Sequence, residues 1–143
     1  MIGCRALPRV VWRFNLKIVL LADNRKNELL VNFCIAYSHI LGRHDLYSLF
    51  HTARLLKEAT DLPVNGLSTD IHSSLDQIAF RARYNEIDAV LYLKDPNQVQ
   101  DGPNLLFDAC DLNNIPYASN LATAEILVLA IDRGDLDWRE LVR

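Results

Sequence analysis

Two rhythms of apolar residues alternate from Lys17 onward: short unbroken runs, and longer stretches in which apolar positions return every three or four residues. The short runs predict strands over 17–22, 45–49, 64–67, 89–93 and 115–119, the third the weakest because Asn65 and Gly66 interrupt it. Between them the helical rhythm is clearest from Leu29 to Leu41, where Gly42 stops it, and its inward positions include Cys34. Leu55, Leu56 and Ala59 mark a short second helix, Leu75, Ile78, Ala79 and Ala82 a third, Leu105, Leu106 and Ala109 a fourth, and Ile126, Leu127, Leu129 and Ala130 a fifth that ends at Gly134. Five βα units in succession predict an α/β domain built on a parallel sheet. Leu136, Trp138 and Leu141 add a terminal amphipathic turn, with Trp138 expected to pack on the domain or on a neighbouring subunit.

Composition narrows the function classes. The chain has 143 residues, half of them apolar, with 15 Lys plus Arg against 18 Asp plus Glu and a net charge of −3, which fits one globular domain and offers no basic surface for nucleic acid. No apolar run comes near the roughly 20 residues that cross a bilayer, so no membrane partner is expected. Cys4, Cys34 and Cys110 are odd in number and lack paired spacing, which points to a reducing compartment rather than a disulfide framework. The four histidines show no ligand spacing, and no metal site is expected. Residues 1–16 carry Arg5, Arg9 and Arg13 and no acid; they read as a basic, poorly ordered extension ahead of a single domain over 17–143.

In an open parallel sheet, ligands bind beyond the carboxyl ends of the strands, where helix N-termini present unpaired N–H groups. Asp23 and Asn24 stand at the first such tip, suited to capping the helix or to acid chemistry, and Lys26 follows, either solvated or facing an anion. Ser73 and Asp76 have the spacing of a capping box, while the hydroxyls of Ser73 and Ser74 could hold a phosphate. Asp95 before Pro96 reads equally as a turn residue and as an acid/base group at the end of the most apolar strand. Asn120 and Thr123 read as helix caps.

Several stretches taken together resemble the methylglyoxal synthase family over nearly all of 17–143. KIVLLADNRKNELLVNFCIAYSHIL is similar to that family's opening strand and helix, and HDLY, LLKEAT, EIDAVLYLKDP, NNIPYASNLATAEIL and WRELVR follow in the family's order. The resemblance implies a three-layer α/β fold, a five-stranded parallel sheet with helices on both faces. It also implies a cytoplasmic homo-oligomer, typically a hexamer, and a cofactor-free lyase that converts dihydroxyacetone phosphate to methylglyoxal and phosphate.

The same resemblance locates departures at the strand tips. The family's Ala-His-Asp falls on Ala22-Asp23-Asn24, and its phosphate-binding lysine on Asn27. Its Thr-Gly-Thr-Thr-Gly turn falls on Leu49-Phe50-His51-Thr52-Ala53, where Phe50 and Ala53 are expected to fill the phosphate cradle. The proton-abstracting aspartate falls on Leu75, next to Asp76, and one residue of helix turns a side chain by about 100°. Asp95-Pro96 matches in place, whereas the following segment, with Asp101 and Gly102, is shorter and lacks the family's histidine.

These matches leave Asp95 and Asp76 as candidate catalytic residues and Lys26, Thr52, Thr69, Ser73 and Ser74 as candidate phosphate donors. Asp23, Asn24, Asn27, Phe50 and Leu75 are degenerate family positions. The expectation is an oligomeric binding or interaction domain with lost or strongly reduced lyase activity and a phosphorylated metabolite as its partner. An active lyase with a rearranged site and a metabolite-sensing regulatory module are the alternatives.

Overall fold

The computed structural model describes residues 15–67, 71–98 and 104–142. Its strands are β1 (Lys17–Ala22), β2 (Asp45–Ser48), β3 (Val64–Gly66), β4 (Ala89–Leu93) and β5 (Tyr117–Ala118), all parallel, in the spatial order β3-β2-β1-β4-β5. The helices are α1 (Asn27–Ala36), α2 (Ser38–Leu41), α3 (Phe50–Thr60), α4 (Ile71–Arg83), α5 (Leu105–Asn113) and α6 (Leu121–Arg133), with 3-10 turns at Asn24–Lys26 and Asp137–Leu141.

Strand β1 lies at the centre, with Ile18 paired to Leu46 on one side and to Ala89 on the other. Both of its faces are covered, so its interior is apolar at every position from Ile18 to Leu21. Ile18, Leu20, Leu46 and Leu91 face one core together with Leu30 and Phe33 of α1, Leu56 of α3 and Val128 of α6. Val19, Leu21 and Val90 face a second core with Ile78 of α4 and Leu106 and Cys110 of α5. The result is the three-layer arrangement expected from the sequence. Cys34 is fully buried in the first core.

The predicted bounds of β1 and β4 agree with the structure; elsewhere local chemistry adjusts them. The first helix divides at Tyr37, whose ψ of 23° interrupts the helix and whose ring packs 4.9 Å from Phe33. Strand β5 is two residues long because Pro116 has no N–H to donate, although its carbonyl accepts from Val90. The second helix is longer than expected, since Phe50 to Ala53, read as a strand tip, form its first turn. Helix α4 begins at Ile71, so Ser73 lies inside its first turn instead of capping it. Gly66 lets α3 approach the sheet: a Cβ there would stand 3.2 Å from both the Phe50 Cα and the Ala53 Cβ.

The closing turn departs most from its predicted character. Leu136 is buried, but Leu141 is 83% exposed, and Arg139 is wholly buried. Its Nε donates to Asp88 Oδ1 at 3.1 Å, and its other nitrogens donate to the Asn114 and Ile87 carbonyls and to Asn85 Oδ1. Asp88 Oδ2 accepts the Lys17 N–H at 2.8 Å, tying this network to the start of β1. Leu16, placed by sequence in the basic extension, is fully buried, and its N–H donates to His44 Nδ1. Residues 1–14 of that extension lie outside the described residues.

Candidate functional site

The strand order reverses between β1 and β4: the chain first builds outward through β2 and β3, then returns to the other side of β1. The connections leave these two strands toward opposite faces of the sheet, which opens a crevice at their carboxyl ends. A cleft of about 580 Å³ lies there, lined by Ala22, Asp23 and Asn24 after β1, Leu49 to Thr52 after β2, and Tyr92 of β4. Asn27, Leu55, Leu75 and Gln98 complete it.

Asp23 anchors the polar floor. It is 6% exposed and makes no side-chain cap to the following turn, so the capping role open in the sequence is not its role here. Instead Oδ1 accepts the Tyr92 hydroxyl at 3.1 Å and Oδ2 accepts the Asp95 N–H at 2.7 Å. The Lys94 ammonium stands 3.9 Å from Oδ2 and 4.4 Å from the centre of the Tyr92 ring. Burial pushes the Tyr92 hydroxyl up to about 12, and the charge and hydrogen bond of Asp23 act in the same direction. Tyr92 therefore remains a proton donor to Asp23 through the neutral range.

The opposite wall is the start of α3. Its cap residue, Leu49, has no side-chain acceptor, so the first-turn N–H groups gain no cap. Thr52, in that turn, is nine-tenths buried, and Phe50 and His51 meet edge to face at 5.6 Å. Phe50 and Leu75 border the cleft without closing it. Ala53, expected to fill the cradle, is 2% exposed and packs into the core.

The candidate residues divide by place. Asp23, Asn24, Asn27, Phe50, Thr52 and Leu75 share the cleft. Asp76 is exposed and borders a separate hollow with Gln77, Phe80 and Arg81. Asp95 is buried behind Asp23; its Oδ1 accepts the Asn97 N–H and its carbonyl the Gln98 N–H, which is the Asp-Pro turn. Lys26 is half-buried in the 3-10 turn and is not among the cleft-lining residues. Thr69, Asp101 and Gly102 lie outside the described residues, as do the side chains of Ser73 and Ser74. Asn120 caps α6 as expected, accepting the Thr123 N–H at 3.0 Å. Among the described residues no cluster of His, Cys, Asp and Glu could hold a metal ion, and no helix is long and apolar enough to cross a membrane.

Sequence reasoning did not single out Tyr92. The available signal was a hydroxyl-bearing side chain at the next-to-last position of an otherwise apolar central strand.

No family model matches the chain. The chain is 45% identical over 130 residues to the methylglyoxal synthase of Caldicellulosiruptor saccharolyticus, an alignment that covers 89% of this chain and 92% of that protein. It belongs to the methylglyoxal synthase family. The methylglyoxal synthase of a Thermoanaerobacter species is 42% identical over 129 residues, covering 88% and 98% of the two chains. The crystal structure of methylglyoxal synthase from Elizabethkingia anophelis superimposes with a TM-score of 0.74 over 80% of this chain and 77% of its own, at 23% identity, and shows the shared fold. The cleft at the β1/β4 tips is lined by Asp23, Asn24, Asn27, Phe50 and Leu75, positions expected from the sequence to depart from the family's motifs.

Proposed function

We propose that this member of the methylglyoxal synthase family has lost, or retains only weakly, the conversion of dihydroxyacetone phosphate to methylglyoxal and phosphate, and that its cleft binds a phosphorylated small metabolite. The observation that carries the reading is Leu75, an apolar side chain that lines the cleft and stands at the position to which the family resemblance assigns the proton-abstracting carboxylate. Losing a general base alone costs about 10²- to 10⁴-fold in rate. The adjacent Asp76 is not a cleft-lining residue, and Asp95 is held in a turn behind Asp23. The open cleft, with Thr52 and the uncapped start of α3 on one wall, supports binding over a purely structural role.

In this reading the protein acts as a cytoplasmic homo-oligomer, a hexamer as the family resemblance implies, and the bound metabolite reports through assembly or a partner. The test pairs two measurements on purified protein. Dihydroxyacetone phosphate and inorganic phosphate are expected to raise the melting temperature, while phosphate release from the triose ester stays near background; ordinary turnover would refute the proposal.

One feature favours a second reading, an active lyase with a rebuilt site: the nearly buried Asp23 carboxylate opens on the cleft. In that case turnover would be present and Asp23→Asn would abolish it.

A further inference from the structure

The two walls of the cleft have opposite hydrogen-bonding character. At the start of α3 the available groups are donors: first-turn N–H groups with no side-chain cap, and the hydroxyl of Thr52, which is 9% exposed and has no acceptor among the described residues. Helix α3 has eleven residues, enough to give its N-terminus a positive end. At the β1 tip the buried side-chain oxygens of Asp23 and Asn27 offer acceptor positions. Asn27 Oδ1 is fully buried and receives no hydrogen bond among the described residues. Asp23 Oδ1 receives only the Tyr92 hydroxyl there, although a carboxylate oxygen has two acceptor positions. The nearest cation, Lys94, stays 3.9 Å from Oδ2, beyond hydrogen-bond reach.

A phosphate satisfies only the first wall. Brought toward the second, it would meet the Asp23 charge and leave Asn27 Oδ1 without a donor. We propose that the cleft selects a phosphorylated small metabolite that also carries a cationic amine, with the phosphate at the start of α3 and the ammonium at Asp23 and Asn27 Oδ1. An ammonium supplies three N–H donors and a compensating charge to a carboxylate largely removed from water, whereas a hydroxyl supplies one hydrogen and no charge. Leu55, Leu75 and Phe50 line the cleft as well, giving an apolar wall for a short carbon linker. This rests on the reading of the cleft as a phosphate-ester site and adds the chemistry of the ligand's other end.

The test is calorimetric titration at pH 7 with 2-aminoethyl and 3-aminopropyl phosphate, each against its hydroxyalkyl counterpart, with inorganic phosphate as the reference. The better amino ester is expected to bind about tenfold more tightly than its hydroxy partner, the scale of a charge-assisted hydrogen bond. Asp23→Asn is expected to bring that ratio to within about twofold. Asn27→Leu removes the unpartnered Oδ1 and is expected to reduce the ratio several-fold in a variant whose circular dichroism spectrum matches that of the parent. Amino and hydroxy esters binding equally would overturn this inference alone, as would a preference that survives both substitutions. If no phosphate ester binds, the phosphate-site reading falls with it.

Discussion

Replacing Arg139 by Met keeps much of the side chain's volume and removes its charge. In the folded protein both Arg139 and Asp88 are fully buried and 3.1 Å apart, and the guanidinium also satisfies the Asn114 and Ile87 carbonyls. The variant removes the Arg139 charge from Asp88 and takes a donor from each of the two carbonyls. Breaking a buried pair from one side costs about 3–5 kcal/mol. For a domain of this size each kcal/mol moves the melting temperature by roughly 3–4 °C, so a fall of about 10–20 °C is expected. Urea unfolding followed by circular dichroism measures the free energy directly, and the double variant Arg139→Met/Asp88→Leu is expected to recover part of the loss because the buried carboxylate that faced Arg139 is gone as well. A single-variant loss below about 1 kcal/mol would refute the assignment of Arg139 as the clamp holding the closing turn to β1 and β4.

Tyr92 titrates near 12, so its tyrosinate absorbance is expected to emerge well above that of exposed tyrosines; in Asp23→Asn the midpoint falls but stays above 10, because burial is the larger cause. A group raised from 10 to about 12 contributes stability that is complete below pH 10 and is lost as pH rises through 12, and alkaline unfolding of Tyr92→Phe is expected to lack that component. Burial likewise pushes the Cys34 and Cys110 thiols up to about 12, so in a Cys4→Ser background a thiol reagent at pH 8 is expected to label neither until urea is added. Gly66→Ala places a methyl 3.2 Å from the Ala53 Cβ and the Phe50 Cα, and is expected to cost about 1–3 kcal/mol in urea melts while shifting α3 at the cleft wall.

What the sequence makes legible follows from how local each cause is. Strands β1 and β4 are readable to the residue because both faces are covered and their apolar runs are unbroken. The family motifs add the layer order, which periodicity cannot supply. The start of α3 is obscured because Leu49 and Phe50 carry no capping signal. The inward turn of Arg139 cannot be seen locally: its acidic partner lies 51 residues away, and an arginine near a chain end reads as solvated. The same separation hides the site's central contact, since Asp23 and Tyr92 are 69 residues apart and meet only because β1 pairs with β4. Position 75 is the reverse case: alignment by flanking motifs places Leu75 at the cleft, and the structure lines the cleft with it.

The central claim is that an apolar side chain stands where the reaction needs a base, and it is tested most directly by a steady-state comparison. Phosphate release from dihydroxyacetone phosphate would be followed for this protein and for the Caldicellulosiruptor saccharolyticus methylglyoxal synthase under identical conditions. The account predicts a kcat at least about 10²-fold below that of the relative. Comparable kcat values for the two proteins would contradict it.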